Sequence, residues 1–300
     1  MKGYLKNKSF PQALEYFDKI DINAINSVGK LDFLKMHKDA FVDVNEALPK
    51  PPTALSMGRI NLGQETFDRA FGTYGNFSVI SGQSKSKKTF IKSLIIASYI
   101  GGNSINYAPN IKGHRDNDKF ILDFDTEQSK WHSQRVFKRV PRITNLEYLQ
   151  GSKYDFYKPF YLRRYDYKER LQFIEWCILE SEYRNNIGFV NIDGFADLVA
   201  DVNDLQSCNE LTSKLLKWTD ISQCHLTGIL HLNPGTNKPT GHLGSSIMKK
   251  AETVCILNLD EDDPNYTKAS FPLTRGFPIE DFRFSINDFG LPVIEENSWV

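Results

Sequence analysis

Residues Phe77-Ser78-Val79-Ile80-Ser81-Gly82-Gln83-Ser84-Lys85-Ser86-Lys87-Lys88-Thr89 decide the fold. A short apolar run passes into a small polar loop and then into a helix-patterned stretch that continues to Ile100. This order predicts strand, turn and helix. The loop has the composition of a phosphate cradle: N–H groups at a helix N-terminus face an anion, a lysine (Lys88) neutralises it, and a hydroxyl (Thr89) reaches a metal. Gly82, Gln83, Ser84, Lys85, Ser86, Lys87, Lys88, Thr89 and the following Phe90 are the candidate nucleotide-binding residues. The pattern G-x-x-x-x-G-K-[ST] asks for glycine where this chain has Lys87. Glycine serves there because backbone comes close to phosphate and a Cβ crowds it. Lysine fits if its side chain swings to solvent. A basic turn ahead of an amphipathic helix reads from the same residues.

Outward from this stretch, apolar runs at 120–124, 187–192, 226–230 and 254–259 alternate with helical patterns at 168–183 and 207–218. Short buried strands separated by helices predict an α/β fold with a mainly parallel central sheet flanked by helices. Residues 282–286 alternate, which suggests a late antiparallel or edge strand. The first fifty residues are polar, broken into amphipathic pieces at 13–20 and 31–41, and stopped by Pro49, Pro51 and Pro52. An N-terminal arm and linker over 1–55 and one domain over 56–300 follow.

The chain of 300 residues is 40% hydrophobic, enough for one large core. Lys+Arg and Asp+Glu both total 37, so global charge does not announce nucleic acid or membrane, and any DNA contact must be a local patch. Cys177, Cys208, Cys224 and Cys255 show no metal-type spacing and read as reduced, mostly buried residues. The N-terminus lacks an apolar signal-like run and no stretch reaches membrane-spanning length. The expectation is a cytoplasmic protein without membrane contact.

In an open parallel sheet, chemistry collects at the carboxyl ends of the strands. Asp125-Thr126-Glu127 leaves Glu127 just past one such end, where a carboxylate orients water for attack on a γ-phosphate, or serves as an N-terminal charge for a helix over 128–140. Asn191-Ile192-Asp193-Gly194 ends another run in Asp193, a candidate for holding Mg²⁺. His231 and Asn233 close a third, where a γ-phosphate sensor belongs; a strand-end histidine also serves structure alone. Lys238 and His242 lie in a polar, basic loop followed by an expected Gly244-Ser245-Ser246 turn. That loop suits a nucleic-acid backbone or an ordinary surface. The aromatic cluster over 154–165 reads as base-stacking or, preferably, as cover for a sheet edge.

Together these blocks resemble the RecA-like hexameric P-loop ATPases, in particular the RepA-type replicative helicases of bacterial plasmids and mobile elements. The resemblance spans about 60–294. It rests on 82–89, Asp125-Thr126-Glu127, Asn191-Ile192-Asp193-Gly194, and His231-Leu232-Asn233 followed by Gly241 to Ser246 and Lys250-Ala251-Glu252-Thr253-Val254. It implies a phosphate-contacting Lys88, Thr89 and Asp193 on Mg²⁺, Glu127 as catalytic carboxylate, and a homohexamer that hydrolyses ATP on single-stranded DNA. Arg275 is the best candidate for the arginine finger, with Lys249 and Lys250 as alternatives. The implied function is helicase or single-strand translocase in DNA replication or mobilisation of an element, with a possible primase or relaxase partner. The alternative is a nucleotide-gated DNA-binding or scaffold protein with little turnover.

Overall fold

The computed structural model describes residues 32–116, 118–145, 154–233 and 238–299. The chain divides into 1–50 and 51–300. In the first unit, helix α1 (Phe33–Ala40) starts where Asp32 accepts a hydrogen bond from the Lys35 N–H at 3.0 Å. The amphipathic piece expected at 13–20 lies outside the described residues.

The second unit opens with an antiparallel hairpin of β1 (Thr53–Leu62) and β2 (Glu65–Thr73), turned by Gly63 at φ 65. A short strand, β4 (Ile111–Gly113), completes this sheet in the order β2-β1-β4. The sequence pattern did not foresee the hairpin, because Gly58, Arg59 and Asn61 interrupt its apolar residues.

The main sheet contains β3 (Phe77–Gly82), β5 (Phe120–Asp125), β6 (Tyr157–Tyr161), β7 (Ile187–Asp193), β8 (His225–His231), β9 (Thr253–Leu259), β10 (Thr267–Thr274), β11 (Phe282–Ile286) and β12 (Pro292–Trp299). Their order is β6-β5-β7-β8-β3-β9-β10-β11-β12. Strands β6 to β9 are mutually parallel, and β10, β11 and β12 extend the sheet antiparallel. The parallel part is mainly fully buried, as its near-continuous apolar runs predict. Strand β8 lies between the strand of the glycine-led loop and the strand of Asp193.

Helices cover both faces. On one side α2 (Lys88–Ile100) buries Ile91, Leu94 and Ile95 against Ile80, Phe189 and the hairpin residues Leu55 and Phe71. On the other, α5 (Tyr167–Leu179), α6 (Leu205–Ser222) and α7 (Gly241–Lys250) bury Ile174, Leu215, Trp218 and Ile247 against Val79, Phe124 and Ile192. Asp166 and Glu169 form a reciprocal cap on α5, and Asp204 caps α6.

Two expected elements differ. The helix anticipated over 128–140 is α3 (Lys130–Phe137) followed by α4 (Arg139–Thr144). Pro141 lacks the N–H that would bond to Phe137, so the first helix ends there. Gly244, Ser245 and Ser246 form no turn but lie inside α7, whose N-terminal Gly241 has φ 64.

Candidate active site at the carboxyl edge of the sheet

Beyond Gly82 the loop turns sharply. Lys85 and Lys87 adopt left-handed backbone at φ 65 and φ 62, a conformation in which a β-carbon is strained. Lys87 thus keeps the backbone shape that glycine would supply. Its side chain points away from the loop, where the ammonium donates to the Asn265 carbonyl at 2.6 Å and ties the loop to the β9–β10 connection. Lys88 folds back over the loop and donates to the Gly82 and Gln83 carbonyls at 2.9 and 2.7 Å. Burial lowers its pKa, opposed by the nearby Glu127 and Asp193. The Ser86 hydroxyl is buried without a partner. Gln83 and Thr89 are half-buried and Ser84 is exposed, while Phe90 lies under the Arg139 guanidinium at 3.8 Å.

Side chains alternate along a strand, and here the face toward α2 carries the polar ones. Asp123, Asn191 and Thr227 stand opposite one another on β5, β7 and β8. Asn191 Nδ2 donates to Asp123 Oδ1 at 2.8 Å, Thr227 donates to Asn191 Oδ1 at 3.1 Å, and the Tyr157 hydroxyl donates to Asp123 Oδ2 at 2.7 Å. The next row pairs Asp125 with Asp193. Asp125 Oδ1 accepts the Glu127 and Gln128 N–H groups, each at 3.0 Å, while its Oδ2 is buried without a partner.

Lys92, one turn beyond Lys88, is the cation for these rows. It is 1% exposed, with Nζ 3.3 Å from Asp123 Oδ1 and 3.2 Å from Asp193 Oδ2. Burial pulls its pKa down, but Asp123, Asp193 and Asp125 together hold it above the usual lysine range. Burial pushes Asp193 up to about 6, against the pull of Lys92 and with the push of Asp125.

At the rim, His231 Nε2 lies 3.0 Å from Glu127 Oε1, bridging the ends of β8 and β5. This bond, ahead of the attraction of His231 and Lys88, lowers the Glu127 pKa. Gly194, at φ 118, admits this packing: a Cβ there would lie 2.1 Å from Thr126 Oγ1, which sits 2.7 Å from both the Asp193 carbonyl and Asp197 Oδ2.

Lys88, Thr89, Glu127, Asp193 and His231 therefore share one edge of the sheet. Asn233 follows β8; its side chain donates to the Pro239 carbonyl at 3.3 Å and its N–H to the Lys238 carbonyl. Lys238 and His242 are exposed. Arg275 follows β10, whose end pairs with the start of β9, so it lies at the opposite edge and donates to the Lys250 carbonyl at 2.8 Å. Any role it has at a site of this kind must be played on another copy.

Sequence reasoning passed over Lys92, Asp123, Asp125 and Arg139. The signal was Asp123-x-Asp125, a period of two that sets two carboxylates on one strand face just ahead of Glu127, with Lys88 and Lys92 four apart on one helix face. Among the described residues no cluster of three His, Cys, Asp or Glu is arranged to hold a metal. Thr89 with Asp193 and the unpartnered Asp125 oxygen instead suits Mg²⁺, which uses one or two carboxylates and takes its other ligands from substrate phosphates and water. No protein-family model matches the chain, and no curated protein matches it in sequence.

Proposed function

We propose that this protein binds ATP with Mg²⁺ at the carboxyl edge of its parallel sheet and hydrolyses it. One observation carries the reading: a glycine-led loop entering a helix, two buried strand-end aspartates and the rim Glu127 converge on the same edge, leaving Ser86 Oγ and Asp125 Oδ2 buried without hydrogen-bond partners. Buried polar atoms without partners are costly, and a phosphate–metal unit would satisfy them. Lys88 exchanges its two carbonyl partners for β- and γ-phosphate oxygens. Thr89 and Asp193 would hold the metal, which when bound would supply charge neutralisation on the phosphates. Glu127 leaves His231 to orient the attacking water, and His231 then faces the γ-phosphate.

The finer reading is a RecA-like, ring-forming helicase or translocase on single-stranded DNA, cytoplasmic, in replication or mobilisation of an element. Four sequence blocks in the family's order support it, as does the strand order that sets β8 between the loop strand and the Asp193 strand. The position of Arg275 fits a finger acting in trans. A nucleotide-gated scaffold with slow turnover is favoured by one feature, the Glu127–His231 contact that occupies the general base.

ATP turnover measured with and without single-stranded DNA tests both readings. Lys88→Ala should weaken nucleotide binding more than tenfold, and Glu127→Gln should bind ATP normally yet hydrolyse it about 100-fold more slowly. Wild-type affinity in the first variant would remove the site; absence of turnover in the wild type would leave the scaffold reading.

A further inference from the structure

Helices α3 and α4 carry an exposed stripe beside Arg139, which itself turns inward and donates to the Thr89 carbonyl at 3.3 Å. Trp131, Arg135, Lys138 and Arg142 recur at helical spacing and are all exposed. No Asp or Glu occurs between Lys130 and Thr144. None of Lys130, Arg135, Lys138, Arg139 and Arg142 is ion-paired among the described residues. The Arg135 guanidinium lies 5.2 Å over the Trp131 ring, and the rings of Trp131 and Phe289 are 61% and 74% exposed. Beside the stripe runs a groove of about 900 Å³ lined by Tyr107, Phe137, Lys138, Arg142, Tyr157 and Phe289. Arg142 donates to the Phe289 carbonyl at 2.8 Å and so joins its two walls. The repulsion of Arg135 and Arg142, after the larger effect of burial, holds Arg139 down at about 10.

We propose that this stripe and groove bind single-stranded nucleic acid, at a place separate from the 238–242 loop. Unpaired guanidinium and ammonium groups call for a polyanion, and exposed rings interleaved with them call for one that stacks. An acidic peptide would satisfy the charges and leave the rings in water. A mononucleotide would reach only part of the stripe, which spans two successive helices and at helical rise is at most about 16 Å long from Trp131 to Arg142. Strand binding here needs no nucleotide turnover, so it stands or falls apart from the ATPase reading.

The test is anisotropy of a labelled oligothymidylate titrated with protein, without ATP, over a range of salt. The triple variant Arg135→Gln, Lys138→Gln, Arg142→Gln, checked for an unchanged circular dichroism spectrum, should bind at least about tenfold more weakly, with a salt slope smaller by about 2. Unchanged affinity and slope would overturn the proposal, as would equal competition by polyglutamate of the same length. Should the triple variant unfold, the wild type decides. Oligothymidylate should quench tryptophan emission by an amount that Trp131→Phe removes, and equal quenching in both proteins would overturn the proposal.

Discussion

The two faces of the central sheet solve opposite problems. Toward α5, α6 and α7 the packing is apolar, with Val79, Phe124 and Ile192 meeting Leu215, Trp218 and Ile247. Toward α2 the same strands present Asp123, Asp125, Asn191 and Asp193 with a buried ammonium among them. The first face is held by area removed from water. The second carries the desolvation cost of ionised groups, which is recovered only while each charge keeps its partner. The α2 face thus sets a charged layer beside its apolar contacts of Ile80, Ile121 and Phe189 with Ile91 and Leu94, beneath the glycine-led loop, and one residue neutralises that layer.

Removing that residue is the hardest test. Lys92→Met should destabilise the fold by about 3–5 kcal/mol in urea unfolding, since two buried carboxylates lose their cation. Leu215→Ala on the opposite face should cost about 2–5 kcal/mol through a cavity. The costs overlap, but only the first should be relieved by a second change: Asp193→Asn added to Lys92→Met should return at least about 1 kcal/mol. No recovery would mean that Lys92 acts as bulk rather than charge.

A somewhat smaller effect appears in the pH dependence. The carboxyl of Asp193 is pushed up to about 6 by burial, above its unfolded value, so the folded protein takes up its proton first. The stability this group contributes is full below about pH 4 and is lost as pH rises through about 6. Unfolding free energy measured at intervals from pH 4 to 7 should therefore fall more steeply with rising pH in the wild type than in Asp193→Asn. Parallel curves would show that the buried carboxylate is not strained.

The least effect belongs to the loop above. Lys87→Gly relieves a left-handed β-carbon worth about 1 kcal/mol but loses the bond to Asn265. Thermal stability should change by less than about 1 kcal/mol, and ATP affinity by less than about tenfold. A larger loss of affinity would assign the Lys87 ammonium to phosphate.

The parallel strands, and helices α2, α5 and α6, were legible because their apolar residues recur at the right period. So were the positions of Lys88, Glu127 and Asp193, which punctuate strand ends. The hairpin was not, because β1 interleaves Gly58 and Arg59 with its apolar residues. Lys92 was hidden by its own helix: among Ile91, Leu94 and Ile95 a lone lysine reads as a long side chain reaching water, and only the register of β5 against β7 shows the carboxylates that receive it.

Strand β6 ends the sheet on one side, and Pro159 occupies its middle. The Leu162 N–H bonds inward to the Asp125 carbonyl, so by alternation Pro159 faces outward, where a donor would otherwise be exposed. The edge of a long parallel sheet is a template for further strands, and a missing donor beside Lys158 blunts it. The protein can therefore be concentrated without polymerising through that edge, whereas a Pro159→Val chain should form thioflavin-positive aggregates under the same conditions.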